Sequence, residues 1–440
     1  MAMDQSGGRP LAVPSGRIAR LARLGSMVGG IAGDVAWNGA RSLARGQRPG
    51  FRRLLMTPAN ARRFADDLAR MRGAAMKIGQ LISMDTGDVL PPELAEVLAR
   101  LRNDAHFMPP AQLKRVLDAE WGTEWRRAFA RFDVRPMAAA SIGQVHRAQL
   151  KDGRDLAVKV QYPGVARSID SDVSNVAALV RMAGLVPEGF DLAPYLAEAR
   201  RQLHEETDYL AEAAQMTRFG ALLAGDPAFA VPQCHADWST PRVLAMSFAP
   251  GEPIESVAAR DPATRERVTG DLVGLVLREL FDFGLMQTDP NFANYRFDPA
   301  SGRIVLLDFG ATRAFGADTV AACRQMMAAG LADDAPGIAA AAEAIGVLGP
   351  AVAPRHRSRI LAMIGMVFDE LRGEGPFDFT DTALTGRMRQ EGIALAEDGF
   401  VPPPLPMDVL YLQRKLGGMF LLGARLGARV AVRPMLEARL

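Results

Sequence analysis

The spacing of apolar positions changes character along the chain. Over residues 17–45, Ile18, Leu21, Leu24, Met27, Val28 and Ile31 recur with helical spacing, and Arg17, Arg20 and Arg23 lie beside that face. The pattern predicts an amphipathic helix, either laid on a membrane surface or packed on the protein. Residues 57–102 predict two or three further helices; Thr57 suits an N-cap and Pro58 a first helical position. Pro91-Pro92 punctuates that segment, Pro109-Pro110 ends it, and residues 108–125 predict another helix. From about Phe132 the spacing becomes alternating. Residues 144–150 and 155–161 predict two strands joined through Lys151-Asp152-Gly153-Arg154, because Asp-Gly is a strong hairpin signal. Helices are expected over 168–185 and 193–223, and strands over 229–232 and 242–246. Beyond Pro250-Gly251 the pattern is mostly helical, apart from an irregular piece at 289–294 and the apolar strand 304–307. The apolar and basic stretch 408–429 is read as a helix packed on the body of the protein rather than as a membrane contact.

Composition narrows the class. Of 440 residues, 49% are apolar and 23% charged, which is ordinary for a globular protein with a large core. The formal net charge of +2 gives no global field for nucleic acid. Cys234 and Cys323 are the only cysteines, too few and too far apart for a disulfide framework or a zinc site, which suits a reducing compartment. No apolar run approaches the ~20 residues needed to cross a bilayer, and the first residues do not read as a secretory signal. The expectation is a soluble chain with any membrane contact peripheral. Residues 1–16, polar with Gly and Pro, are expected to be disordered. Basic residues are overwhelmingly Arg; the lysines are Lys77, Lys114, Lys151, Lys159 and Lys415. In such a chain, Lys hints at a need for a compact ammonium.

The firmest chemical signal is Asp289-Pro290-Asn291-Phe292-Ala293-Asn294, followed after an apolar strand by Asp308-Phe309-Gly310. Phosphoryl transfer needs oxygen donors to hold Mg²⁺ against the phosphates and a carboxylate to orient the nucleophile. D-x-x-x-x-N followed by D-F-G supplies these parts; a lone D-F-G could be an ordinary turn. Lys159, within Ala157-Val158-Lys159-Val160, sits where kinases place a strand lysine that contacts phosphate and is held by a helix glutamate. Glutamate candidates lie in 205–212, where a continuous helix would put Glu205, Asp208 and Glu212 on one face and Glu206 elsewhere. A β-rich part bearing the lysine, then a helical part, is the order of a bilobal, protein-kinase-like α+β fold. The expected divisions are a helical extension over 17–130, a small β-rich lobe with a helical insertion over 131–248, and a mostly helical lobe over 249–440. Two further stretches are not diagnostic alone. Ala138-Ala139-Ala140-Ser141 stands where a glycine-rich loop would lie, although an alanine run more often forms a helix. Lys77-Ile78-Gly79-Gln80 reads simply as a helix with a polar pair.

Together these stretches, with Gln161-Tyr162-Pro163-Gly164-Val165 and 306–313, resemble the UbiB family of atypical kinases, also called the ADCK or aarF-domain family, over nearly the whole chain. The likeness is greatest to the branch that supports coenzyme Q synthesis. The resemblance implies roles for matching positions. Lys77 and Gln80 match the K-x-G-Q motif that lies over the active site and occludes a protein substrate. Glu206 and Asp208 match the E-x-D motif and, with Lys77 and Gln80, would be regulatory. Ala138, Ala139, Ala140 and Ser141 match the alanine-rich nucleotide loop, and Met246 is placed beside the nucleotide. Lys159 and its partner Glu212 would be catalytic together with Asp289, while Asn294 and Asp308 would hold the metal. Many relatives carry His-Pro-Gly-Asn after the Asp-Pro, where this chain has Asn291-Phe292-Ala293-Asn294. The implied cofactors are ATP or ADP with Mg²⁺ or Mn²⁺. The implied role is an ATPase of ubiquinone biosynthesis, cytoplasmic and peripheral to a bacterial inner membrane. Its expected partners are membrane lipids or quinone intermediates, with room for other ubiquinone-biosynthesis proteins and a homodimer, and with no nucleic acid. A small-molecule or lipid kinase, and a nucleotide-gated lipid-binding module without catalysis, are the competing readings. Only a short segment follows Asp308-Phe309-Gly310 before the next helical run, and it carries no Ala-Pro-Glu signature to present a peptide.

Overall fold

A computed structural model describes residues 73–74, 77–78, 107–140, 142–182, 192–350, 352–400 and 405–440. The expected disorder over 1–16, the amphipathic helix over 17–45, Gln80 and Ser141 lie outside the described residues. The described chain forms two compact units. The first runs up to Ala214 and takes in Gln233–Phe248; the second comprises Gln215–Pro232 and Ala249–Leu440.

The first unit is built on an antiparallel sheet. Four of its five strands, in spatial order, are β1 (Phe129–Phe132), β2 (Gly143–Leu150), β3 (Asp155–Gln161) and β4 (Val243–Ser247), and the fifth, Ala138–Ala139, also pairs with β2. The β2–β3 hairpin turns at Asp152-Gly153, where Gly153 has φ +95°, a left-handed conformation that costs glycine no Cβ clash. Helix α1 (Pro110–Trp121) starts with Pro at its first position and buries Leu113, Val116 and Leu117. These pack with Trp125, Phe129, Leu150, Leu156, Val158 and Val243, so α1 closes one side of the sheet. Trp121, Phe129 and Trp238 meet edge-on or stacked at 4.9–5.5 Å between ring centroids. Three helices follow the hairpin: α2 (Val165–Met182), α3 (Ala193–Glu206) and α4 (Tyr209–Leu222), the last continuing past Ala214.

The long helix expected over 193–223 is therefore two. Thr207 turns its hydroxyl back onto the His204 carbonyl at 2.6 Å. Asp208 accepts from the N–H groups of Leu210 and Ala211 at 3.1 and 3.0 Å, an N-cap that starts a new helix. Gln161 of β3 donates to the Thr207 carbonyl at 2.7 Å and pins the break to the sheet. The expected shared face of Glu205, Asp208 and Glu212 does not exist, because local capping outcompetes helix continuation.

The second unit is mostly helical. Helix α5 (Pro262–Phe281) is capped by Asp261, which accepts from Thr264 N at 2.9 Å, and buries Val268, Leu272, Leu275, Val276 and Leu280. Strand β5 (Leu285–Gln287) follows, then β6 (Tyr295–Asp298), β7 (Arg303–Leu306) and β8 (Thr312–Ala314). Strands β6 and β7 are antiparallel, and β8 pairs antiparallel with β5. Phe229–Ala230, read from sequence with the small lobe, pairs in parallel with β7 of this unit. The stretch 131–248 is thus not one body: Gln215–Pro232 belongs to the helical unit. Helices α6 (Ala317–Leu331), α7 (Ala335–Ile345), α8 (Pro354–Arg372), α9 (Thr382–Glu397), α10 (Met407–Leu426) and α11 (Val432–Glu437) complete it. Helix α10 buries Val409, Leu410, Tyr411, Met419, Leu422 and Leu426, so the apolar stretch near the C-terminus is core. Among the described residues no helix is long and apolar enough to cross a membrane.

Candidate active site

Three of the five lysines, Lys77, Lys159 and Lys415, are buried, and each meets a glutamate. Burying an ion pair costs several kcal/mol per ion in desolvation, and a well-packed apolar pair would often hold the fold as well. Stability alone does not account for these pairs.

In the first unit Lys159 lies on β3, opposite Val145 of β2 and Leu244 of β4. Its ammonium donates to both carboxylate oxygens of Glu212 at 2.9 Å. The Tyr209 ring stands 5.1 Å from the same nitrogen. Glu212 sits in the first turn of α4, the helix that Asp208 starts, so the cap sets the height of Glu212 beside the strand. Lys77 pairs with Glu206, the last residue of α3, at 2.5 Å. Asp208 itself is a helix cap. The break after Glu206 thus sends two glutamates six positions apart to two different lysines.

The alanine run is not helical. Ala138 and Ala139 form a short exposed strand opposite Val145 and Gln144, and Ala140 N donates to Gly143 O at 2.9 Å. The hairpin with β2 outcompetes alanine's helix propensity, because Met137 N also donates to Val145 O. Met246 is buried on β4, opposite Ala157.

In the second unit Asp289 follows β5 at the head of a loop whose shape is set by its own polar groups. Asn291 caps a short turn, Phe292–Asn294, by accepting from Ala293 N at 3.1 Å. The Asn294 amide nitrogen donates to the Asp289 carbonyl at 3.2 Å and to Asp289 Oδ2 at 3.3 Å. With that nitrogen committed, the amide oxygen is the end left for a hard cation. Leu307 N donates to Asn294 O at 3.0 Å, tying the loop to the chain that leads into Asp308. Asp308 Oδ1 accepts from Gly310 N at 3.0 Å, which shapes the D-F-G turn. Phe309 is buried and tilted against Phe219, with ring centroids 5.1 Å apart. Thr288 donates from backbone and hydroxyl to the Ala311 carbonyl, so the two motifs are stitched together.

Helix α10 supplies residues that the motifs do not reveal. Arg414 Nη2 donates to Asp289 Oδ1 at 2.7 Å. Lys415 donates to Gln287 O at 2.6 Å, to Gln287 Oε1 at 3.1 Å and to the Tyr295 hydroxyl at 3.0 Å. It also pairs with Glu279 of α5 at 3.2 Å. Burial alone would lower the Lys415 pKa, but the neighbouring Glu279 and Tyr295 raise it above the usual value, so the ammonium stays charged. Gln287 passes the restraint on, donating to the Asp289 carbonyl at 2.9 Å. The one sequence signal for Lys415 was its being a lysine in an arginine-rich chain; Arg414 had none.

The first unit thus offers an ammonium fixed on a strand. The second offers a carboxylate, Asp289, with two oxygen donors, Asn294 and Asp308, on tethered turns. No cluster of three His, Cys, Asp or Glu able to hold a metal occurs among the described residues. A hard cation held by Asn294 and Asp308 would complete its shell with phosphate oxygens and water, the usual habit of Mg²⁺. The donor set fits that ion.

Residues 100–342 match the family model described as the ABC1 atypical kinase-like domain. The chain is 36% identical over 420 residues to the mitochondrial atypical kinase COQ8 of Saccharomyces cerevisiae, covering 95% of this chain and 83% of that one. It is 38% identical over 428 residues to the mitochondrial atypical kinase COQ8B of Rattus norvegicus, covering 97% of this chain and 80% of that one. Among solved structures, the complex of Rv3197 with erythromycin from Mycobacterium tuberculosis matches with a TM-score of 0.60 at 25% identity. The match covers 88% of this chain and 96% of that one.

Proposed function

From the premise that this chain belongs to the ABC1 atypical kinase-like family, with its kinase-like α+β fold, we propose that it binds and hydrolyses Mg·ATP in support of ubiquinone biosynthesis. The observation that carries the reading is the buried pair of Lys159 with Glu212, both contacts at 2.9 Å. An ammonium held this way on a strand is poised to contact phosphate oxygens, and its burial cost is otherwise unexplained.

In this reading Lys159 contacts the α- and β-phosphates, and Ala138 to Ser141 cover the nucleotide near Met246. Asn294 and Asp308 hold Mg²⁺ or Mn²⁺, which when bound neutralises charge on the phosphate oxygens. Asp289 orients the attacking water. The water oxygen forms the new bond to the γ-phosphorus while the bond to the β–γ bridging oxygen breaks. The water's proton passes through the Asp289 carboxylate to the released phosphate, leaving ADP. The Lys77–Glu206 pair secures the K-x-G-Q residues, and with Gln80 and Asp208 it serves a regulatory purpose. Turnover is coupled to handling membrane lipid or quinone intermediates at a membrane periphery.

The test is Mg²⁺-dependent thermal stabilisation by ATP. Ligand at 100 times its Kd adds about 2.7 kcal/mol, a midpoint shift of several degrees. Asp308→Asn removes a metal ligand and is expected to abolish most of that shift and most phosphate release. A variant that keeps the wild-type shift with Mg·ATP removes Asp308 from the metal site and the reading with it.

A further inference from the structure

The loop from Asp289 to Asn294 contains no basic residue. The positive charge that faces Asp289 arrives from α10, 125 positions along the chain: Arg414 Nη2 meets Oδ1 at 2.7 Å. The other carboxylate oxygen, Oδ2, meets the Asn294 amide at 3.3 Å. Asp289 is therefore held from both edges, one by the loop's own asparagine and one by a distant helix.

Helix α10 is anchored to this loop without Arg414. Lys415 is buried among Gln287, Tyr295 and Glu279. One turn on, Gly418 lets Pro290 lie against the helix; a Cβ there would come within 2.3 Å of the Pro290 Cβ. Gly418 lies one turn beyond both Arg414 and Lys415, at i+4 and i+3 spacing, between the two side chains that reach the loop. The Arg414–Asp289 pair, with side chains 15% and 23% exposed, is partly buried, and an ion pair of that kind is weak evidence for a stabilising role. Its effect falls on the direction of one carboxylate. A guanidinium sets that direction better than an ammonium, since its planar fork fixes the approach of each donor.

We propose that Arg414 is a positioning residue for the phosphoryl chemistry, acting through Asp289: it fixes the carboxylate so that the nucleophile is aligned with the γ-phosphorus. The proposal rests on the ATP-hydrolysing reading above. It assigns to α10 a restraint that kinase-like motifs do not encode.

The test is a double-mutant cycle on the full chain, with phosphate release from Mg·ATP measured at steady state. Arg414→Gln is expected to lower kcat about 10- to 100-fold, the scale of misplacing a reacting group. KM for ATP and the thermal shift with Mg·ATP should stay near wild type. Arg414→Lys should recover part of the rate. In an Asp289→Asn background, Arg414→Gln should have no further effect, because Arg414 would have nothing left to position. Should Arg414→Gln fail to fold, Arg414→Lys with and without Asp289→Asn makes the same comparison. An unchanged kcat in both variants, or equal losses in the two backgrounds, overturns the proposal alone. A wild type with neither phosphate release nor a Mg·ATP shift overturns the underlying reading as well.

Discussion

His146 is a group able to carry charge, set in the core of the small sheet. It is fully buried and stacked on Phe132, with ring centroids 5.5 Å apart. Its Nδ1 donates to the Asp133 carbonyl at 2.7 Å and its Nε2 accepts from the Gln144 amide at 2.8 Å, which is the neutral tautomer. Burial holds its pKa down to about 4. The unfolded chain, with an ordinary histidine near 6.5, takes up the proton first. The stability from neutral His146 is therefore complete above about pH 6.5 and is lost as pH falls toward 4, on the order of 3 kcal/mol. His146→Gln should flatten that part of the profile: its urea midpoint should fall less between pH 7 and 4 than the wild type's. Parallel profiles would show that the proton binds elsewhere. Lys415 carries the same lesson with opposite sign, since Glu279 and Tyr295 beside it raise its pKa although burial would lower it.

At the scale of elements, α10 combines two adjacent glycines with different surroundings. A Cβ on Gly417 meets nothing within 4 Å, whereas one on Gly418 collides with Pro290. Glycine in a helix interior costs about 1 kcal/mol relative to alanine. Gly417→Ala is therefore expected to stabilise the protein by up to about 1 kcal/mol. Gly418→Ala should destabilise it by about 1–3 kcal/mol, because the helix or the loop must shift. Denaturant unfolding of the two variants checks this, and shifts of the same sign would refute the close packing of α10 on the loop. The break between α3 and α4 belongs to this scale too. Thr207 and Asp208 are good capping residues, yet apolar spacing continues across them, and Gln161 from the sheet tips the balance.

For the whole molecule, the proposed reading draws on both units: Lys159 on a strand of one, and Asp289 with Asn294 and Asp308 in the other. If the proposed role holds, deleting the gene lowers cellular ubiquinone. Wild type restores it and Asp308→Asn does not, as read by quinone extraction. Rescue by the variant would separate the quinone phenotype from metal-dependent nucleotide turnover.

Much of this was legible along the chain. The hairpin bearing Lys159 follows from alternation and one Asp-Gly turn, and the spacing of Asp289, Asn294 and Asp308 is the signal on which the proposed phosphate chemistry rests. These signals act over a few residues, where backbone geometry and turn chemistry suffice. The family resemblance, a longer-range pattern of identities, named Glu212 for Lys159, which spacing alone left among several acids. Partners of the remaining groups stayed hidden. Lys77 meets Glu206 across 129 positions, Arg414 meets Asp289 across 125, and Lys415 meets Gln287 across 128. Such pairs form only after helices and strands have packed, since desolvation makes a charge seek whichever partner the folded core brings near.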